Sequence, residues 1–182
     1  MSLSFRIISG KLGGRILKAP KKLPVRPTKN QVKESLFNIL QHRLGLQNTK
    51  VLDLFCGLGS VSLEFASRGA DVISVDNHSG CIKFVKESAE KLNASVVANQ
   101  ADVFEYVKKN ELAFNIIFAD PPYDFEVDDY QFLIDTILDK ENSFQGLLII
   151  EHSPKMKIDQ SDFCIDSRKY GSSCISIFQK SN

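Results

Sequence analysis

The pattern of apolar and polar positions along the chain changes near residue 50. Before that point, apolar residues are scattered among glycines, prolines and basic residues. After it, short apolar runs of strand length alternate with segments of helical period. The runs predict strands at 51–55, 71–76, 95–98, 114–119 and 147–151, and the periodic segments predict helices near 61–67, 80–92, 103–109 and 129–138. This alternation predicts an α/β fold of the doubly wound kind, with a mostly parallel sheet covered by helices on both faces.

The two ends of the chain depart from this alternation. Two late runs, 163–167 and 174–178, are joined through Tyr170-Gly171 and predict an antiparallel C-terminal hairpin. Near the start, residues 5–19 alternate and contain three glycines, which predicts a small hairpin-like appendage. Thr28 and Gln31 have the spacing of a capping box and predict that a helix begins after Thr28. We therefore expect an N-terminal part, 1–47, and a main domain, 48–182.

The charge is unevenly distributed between these parts. Residues 1–50 hold 11 Lys and Arg and one acid, a formal charge of +10, whereas the remaining 132 residues carry −9. A basic segment of this kind favours a polyanion as partner, and the lack of a long amphipathic helix disfavours a membrane surface. We expect it to contact nucleic-acid phosphates, with these candidate residues: Arg6, Lys11, Arg15 and Arg26.

The cysteine spacing and the absence of long apolar runs favour a cytoplasmic protein. The four cysteines are scattered and form no pair typical of a metal site, which indicates free thiols in a reducing compartment. The first ten residues are too polar for a signal peptide, and no run approaches the roughly 20 apolar residues that cross a bilayer. None of the three histidines has metal-site spacing, so we expect no metal.

The segment Asp53–Gly59 is the first candidate for ligand binding. A strand runs into a glycine turn that opens a helix, and Gly57 and Gly59 allow a ligand to approach the backbone. A dinucleotide fingerprint needs a third glycine, which is missing here. Asp53 would repel a pyrophosphate, whereas it suits the ammonium and sulfonium of S-adenosylmethionine. The motif therefore favours S-adenosylmethionine over a dinucleotide.

Two further acids follow the next two strands. Asp76 ends the second strand of the main domain, where this type of fold places an acid that accepts ribose hydroxyls. Asp102 follows the third strand and has two alternative roles, as acceptor for the adenine amino group or as a helix N-cap. The predicted cofactor-binding residues are thus Asp53, Gly57, Gly59, Asp76 and Asp102.

The tetrapeptide Asp120-Pro121-Pro122-Tyr123 ends an apolar strand and is the most specific motif. An exocyclic base amine is a poor nucleophile because its lone pair is delocalised into the ring. If Asp120 and the Pro121 carbonyl accept its two hydrogens, the lone pair turns toward an incoming methyl group. Tyr123 offers a flat face for an extruded base. We therefore predict catalytic roles for Asp120, Pro121 and Tyr123.

These motifs together resemble the bacterial RsmD-type methyltransferases of 16S ribosomal RNA, over nearly the whole chain. The matching segments are Arg6–Lys11, Gly14-Arg15, Arg26–Thr28, Lys33–Asn38, Asp53–Gly59, Ser67–Ala70, Asp120–Tyr123 and Tyr170-Gly171. The resemblance implies a Rossmann-like class I fold and methyl transfer from S-adenosylmethionine to a guanine N2. It also implies an assembled or partly assembled small ribosomal subunit as substrate, for an enzyme that we expect to be monomeric. Leu12, Gly13, Asn30, Cys56 and Leu58 depart from the family pattern.

Three other functions remain open at this point. Adenine-N6 and glutamine-N5 methyltransferases use related tetrapeptides, although theirs more often begin with Asn, so Asp120 favours guanine. A catalytically silent RNA-binding assembly factor could share the fold. The acids at 53, 76 and 120 argue against that alternative.

Overall fold

The computed structural model describes residues 4–20, 23, 30–138 and 144–180. The strands are β1 Ser4–Arg6, β2 Ile16–Lys18, β3 Lys50–Leu54, β4 Asp71–Asp76, β5 Val96–Gln100, β6 Ile116–Ala119, β7 Leu147–His152, β8 Cys164–Tyr170 and β9 Ser173–Phe178. The helices are α1 Asn30–Arg43, α2 Ser60–Ser67, α3 Ser79–Leu92, α4 Val103–Lys109 and α5 Val127–Leu138, and a 3-10 turn covers Ile158–Gln160. Among the described residues, no helix is both long and apolar enough to cross a membrane.

The main sheet has the strand order β5-β4-β3-β6-β7-β9-β8. Strands β3 to β7 run parallel, and β9 pairs antiparallel with both β7 and β8. The doubly wound sheet and the antiparallel C-terminal hairpin are therefore confirmed. The reversal of strand order at β3 and β6 creates a crevice at their carboxyl ends, which is where such sheets bind ligands.

Alternate side chains of the central strands are buried on opposite faces of the sheet. On one face, Val51 and Ile149 pack in a cluster with residues of α1 and α2. On the other face, Leu52 and Ile150 pack with residues of α4 and α5. Both faces are thus sealed from water, which explains why these strands appear in the sequence as continuous apolar runs.

Most predicted elements are confirmed, with shifts at their ends. Strand β4 and helix α4 have the predicted bounds, whereas α5 begins at Val127, two residues earlier than predicted. Strand β8 extends to Tyr170, beyond the predicted end at 167, because its polar residues continue the pairing with β9. The predicted capping residue Thr28 lies outside the described residues.

The N-terminal hairpin is confirmed and is docked on the main domain. Strands β1 and β2 pair antiparallel, with Phe5 opposite Leu17. These two side chains are buried in a cluster that also holds Leu58 and Leu63, from the glycine turn and α2. Leu12 lies in the same cluster, so two of the departures from the family pattern, Leu12 and Leu58, share one apolar environment.

Candidate active site

The glycine turn lies between β3 and α2, at the carboxyl edge of the sheet. Phe55, Gly57 and Gly59 have positive φ values of 58°, 50° and 69°. For a bulky residue such as Phe55 this conformation is strained, and strain of this kind is concentrated at functional sites. A Cβ at Gly59 would lie 2.8 Å from Cγ2 of Val85, so this glycine also permits α3 to pack closely.

Asp53 lies inside the molecule, below this turn. It is 1% exposed, and its carboxylate accepts a hydrogen bond from the hydroxyl of Ser62 on α2. Burial raises the pKa of Asp53 to about 7; hydrogen bonds from Ser62 oppose this rise and the charge of Asp76 adds to it. Asp53 therefore connects β3 to α2 through this hydrogen bond and stabilises the glycine turn between them. Direct binding of the cofactor by Asp53 stays a prediction.

Asp76 lies at the end of β4, beside the glycine turn. One carboxylate oxygen accepts from the backbone N–H of Gly57 at 2.9 Å, and the other accepts from that of His78 at 2.8 Å. The side chain is half-buried, so part of it faces solvent at the crevice. Because each carboxylate oxygen can accept more than one hydrogen bond, Asp76 can hold the turn and still accept from a ligand hydroxyl.

Asp102 is the N-cap of α4, one of the two roles that the sequence allowed for it. Its side chain accepts from the backbone N–H of Glu105 at 3.0 Å and caps α4. The residue is exposed at the end of β5, next to Asp76 in strand order. An additional contact with adenine stays a prediction.

The tetrapeptide turn follows β6 and is joined to the glycine turn by the backbone. The N–H of Asp120 donates to the carbonyl of Leu54 at 3.4 Å, at the last residue of β3. The N–H of Phe125 donates to the carbonyl of Pro122 at 3.1 Å and closes the turn. Pro121 is buried and Asp120 half-buried, whereas Tyr123 is 95% exposed. The ring of Tyr123 is therefore accessible to a base from outside.

A row of aromatic rings, not identified from the sequence, lies beside this turn. Phe55 contacts Phe125 edge to face at 5.2 Å between ring centroids, Phe125 stacks on Phe104 at 5.7 Å, and Phe104 contacts Phe132 at 5.4 Å. Phe55 is half-buried at the sheet edge, whereas Phe37 and Phe65 are buried in the core. The row is the apolar wall of the crevice on the side of α4 and α5.

A buried ion cluster fastens the N-terminal appendage to α2. The side chains of Lys33 and Glu64 are both 0% exposed, and Lys33 Nζ lies 3.2 Å from Glu64 Oε1. Glu64 also accepts from the backbone N–H of Ile8 at 2.7 Å and from Arg68, while Lys33 donates to the carbonyl of Arg6 at 3.0 Å. Burial lowers the pKa of Lys33, and its contact with Glu64 opposes that effect.

This cluster shows that part of the basic segment is not available to RNA. Lys33 counts toward the +10 charge but is inside the protein, and Arg43 pairs with Asp166 at 2.6 Å. The signal was present in the sequence, because Lys33 has the helical spacing of the buried residues Leu36, Phe37 and Leu40. The candidates Arg6, Lys11 and Arg15 are exposed, and Arg26 lies outside the described residues.

The histidine side chains and the surface cavities have other roles and positions. His78 caps α3, and buried His152 contacts the Ser176 hydroxyl through Nε2 at 2.8 Å. The described residues hold no cluster of His, Cys, Asp and Glu able to bind a metal. One cavity of about 300 Å³ lies between α1 and β8, and another of about 590 Å³ includes Asn115 at the opposite, amino edge of the sheet.

Comparisons with known proteins agree with this geometry. The model of the family described as "Conserved hypothetical protein 95" matches residues 5–179. The chain is 31% identical over 192 residues to the putative rRNA methyltransferase YlbH of Bacillus subtilis, covering 96% of this chain and 98% of that protein. It is 35% identical over 129 residues to ribosomal RNA small subunit methyltransferase D of Escherichia coli K12, covering 65% of this chain and 60% of that protein.

Solved structures share the fold. A putative methyltransferase, yhhF from Escherichia coli, superposes with a TM-score of 0.80 at 23% identity, covering 97% of this chain and 98% of that one. The Thermus thermophilus 16S rRNA N2 methyltransferase RsmC, solved with AdoMet and guanosine, superposes with a TM-score of 0.74 at 22% identity, covering all of this chain and 50% of that one. The match to the family model over residues 5–179 shows that this chain belongs to the Conserved hypothetical protein 95 family, the RsmD-type methyltransferases that its sequence resembles.

Proposed function

We propose that this protein transfers a methyl group from S-adenosylmethionine to the exocyclic N2 of a guanine in 16S ribosomal RNA. The main observation behind the proposal is that the tetrapeptide turn and the glycine turn are adjacent. The Asp120 N–H donates to the carbonyl of Leu54, so the base-binding turn lies directly beside the glycine turn. A base amine held at one turn is thereby next to a methyl donor held at the other. Relatives named as rRNA methyltransferases support the same activity.

The residues around the glycine turn fit S-adenosylmethionine. The half-buried carboxylate of Asp76 already accepts from the Gly57 N–H, and its remaining acceptor capacity suits the two hydroxyls of a ribose. Gly57 and Gly59 keep the turn free of side chains at the crevice. When bound, S-adenosylmethionine supplies a methyl group on a positively charged sulfur.

Three residues of the tetrapeptide turn prepare the base. Asp120 and the Pro121 carbonyl accept the two N2 hydrogens, which favours a more pyramidal nitrogen with its lone pair directed at the methyl group. Tyr123, 95% exposed, stacks on the extruded base and holds its plane. The proton leaves N2 for water after transfer, so the mechanism uses no general base.

The two parts of the chain have different roles in this proposal. Residues 48–182 hold the cofactor and the base, while the appendage, residues 1–47, contacts RNA phosphates. In the structure Arg6 lies on the outer face of the hairpin and is exposed, as are Lys11 and Arg15. The substrate is an assembled or partly assembled small subunit in the cytoplasm, on which the enzyme acts as a monomer.

Nucleoside analysis tests the proposed reaction. Small subunits from cells lacking the gene are incubated with the protein and isotopically labelled S-adenosylmethionine, and the rRNA is digested and examined by mass spectrometry. We expect labelled N2-methylguanosine with the wild type and none with Asp120→Ala. Labelled N6-methyladenosine would assign the adenine alternative. Cofactor binding without any transfer to RNA would instead favour a silent assembly factor.

A further inference from the structure

The register of β6 and β7 places a second carboxylate beside Asp120. The strands are parallel neighbours, with Ala119 opposite Ile150, so Glu151 follows Ile150 where Asp120 follows Ala119. Neighbouring strands lie about 4.8 Å apart. The two acids are therefore side by side at the carboxyl edge of the sheet.

The alternation of the strands puts both acids on the same face. Phe118 and Ile149 belong to the cluster on the α1 side, whereas Ala119 and Ile150 belong to the opposite cluster. Because successive side chains alternate, the matched register puts Asp120 and Glu151 on the same face as each other. Both are half-buried, so each is partly open to a ligand at the edge.

The buried Tyr130 of α5 is affected by the charges of both carboxylates. Burial is the main cause that raises the pKa of Tyr130 to about 12, and the charges of Asp120 and Glu151 contribute next, followed by Asp129. One phenol hydroxyl therefore experiences both acids. Two neighbouring carboxylates repel each other, and a ligand edge with two adjacent donors is what such a pair can bind together.

Guanine has such an edge. Its N2 amino group lies next to an N1–H donor, whereas adenine has an unprotonated N1 that acts as an acceptor. In the function proposed above, on which this inference rests, Asp120 and the Pro121 carbonyl take the N2 hydrogens. We propose that Glu151 accepts the N1–H of the target base and thereby selects guanine over adenine. A carboxylate facing the N1 lone pair of adenine would instead be repelled.

Nucleoside binding separates this role from a structural one. Guanosine and 2-aminopurine riboside both carry the N2 amino group, but 2-aminopurine has an acceptor at N1. With S-adenosylhomocysteine present, the wild type should bind guanosine about ten- to a hundredfold more tightly, the range for a hydrogen bond to a charged group. In Glu151→Gln the amide can donate to the N1 of 2-aminopurine, so this preference should disappear or reverse.

The control is Glu126→Gln, the same substitution at an exposed position near the tetrapeptide turn, which should keep the wild-type preference. Nucleosides are titrated to millimolar concentration by ligand-observed NMR, and S-adenosylhomocysteine affinity confirms the folding of each variant. A wild type without preference, or a Glu151→Gln protein that retains it, overturns the assignment of Glu151. If the wild type nevertheless methylates guanine in small subunits, the proposed function is still correct and only the assignment of Glu151 is wrong.

Discussion

Replacement of Glu64 by leucine should destabilise the protein more than any other single change in the buried ion cluster. The carboxylate of Glu64 accepts from Lys33 Nζ at 3.2 Å, from the Ile8 N–H at 2.7 Å and from Arg68. Without it, the Lys33 ammonium is buried beside neutral groups, the Arg6 carbonyl and the Phe5 ring. Lys33→Met is milder, because Glu64 keeps Arg68 and the Ile8 N–H.

The loss in the free energy of unfolding depends on which buried groups lose their partners in each variant. Removing one partner of a buried ion pair costs about 3–5 kcal/mol, since the other charge is left uncompensated. We expect a loss in that range for Glu64→Leu. For Lys33→Met the loss should be about 1–3 kcal/mol, the value for weakened buried hydrogen bonds. The double variant removes both charges, so its loss should be clearly smaller than the sum of the single losses.

Urea denaturation of the wild type, both single variants and the double variant measures these free energies of unfolding. The exposed pair Lys83–Glu87 is the control, with side chains 78% and 64% exposed. Glu87→Leu should change stability by less than about 1 kcal/mol, as for other exposed pairs. The reasoning is refuted if Glu64→Leu costs no more than Glu87→Leu, or if the losses in the double variant simply add.

The remaining predictions concern the site. Asp76→Ala should lower S-adenosylmethionine affinity by about 1.5–3 kcal/mol, measured by calorimetry on the folded variant, and an unchanged affinity would contradict the assignment. Asp120→Ala should abolish transfer to small subunits with nearly intact cofactor affinity, and Tyr123→Ala should slow turnover through the loss of about 1–3 kcal/mol of stacking; wild-type turnover in Asp120→Ala would disprove the mechanism. Because burial raises the pKa of Asp53 to about 7, the folded protein retains a proton that the unfolded chain releases above its ordinary value of 3.8. The stability of the wild type relative to Asp53→Asn should therefore fall between about pH 4 and about pH 7, and a stability difference that stays constant over this range would count against it. Replacement of the exposed residues Arg6, Lys11 and Arg15 by Gln should weaken RNA binding without changing cofactor affinity. The slope of log affinity against log salt concentration should become shallower by roughly 0.7–0.9 per lost contact, whereas an unchanged slope would assign these residues a structural role.

The fold was predictable because its signals are local. Continuous apolar runs such as Ile116–Ala119 mark strands buried on both faces, and the order of strands and helices then determines the doubly wound layout. Helix ends were less predictable, since the start of α5 at Val127 depends on the turn that precedes it.

The site was predictable in its residue types but not in their partners. The sequence identified Asp53 as an acid before a glycine turn, yet its hydrogen bond to Ser62 depends on how α2 packs on β3. The helical spacing of Lys33 indicated a buried position, but its partner Glu64, 31 residues away in the chain, could not be identified from the sequence. Contacts of this range have no periodic signature, so the ion cluster and the neighbouring acids Asp120 and Glu151 required the structure.

The docking of the hairpin on α2 also has a consequence for the order in which the chain can fold during synthesis. The hairpin is synthesised before its partners Leu58, Glu64 and Ser67, which follow about 55 residues later. Until then Phe5 and Leu17 have no core to cover them, and a two-stranded hairpin alone is marginally stable. The hairpin can therefore reach its stable packed form only after α2 has been synthesised.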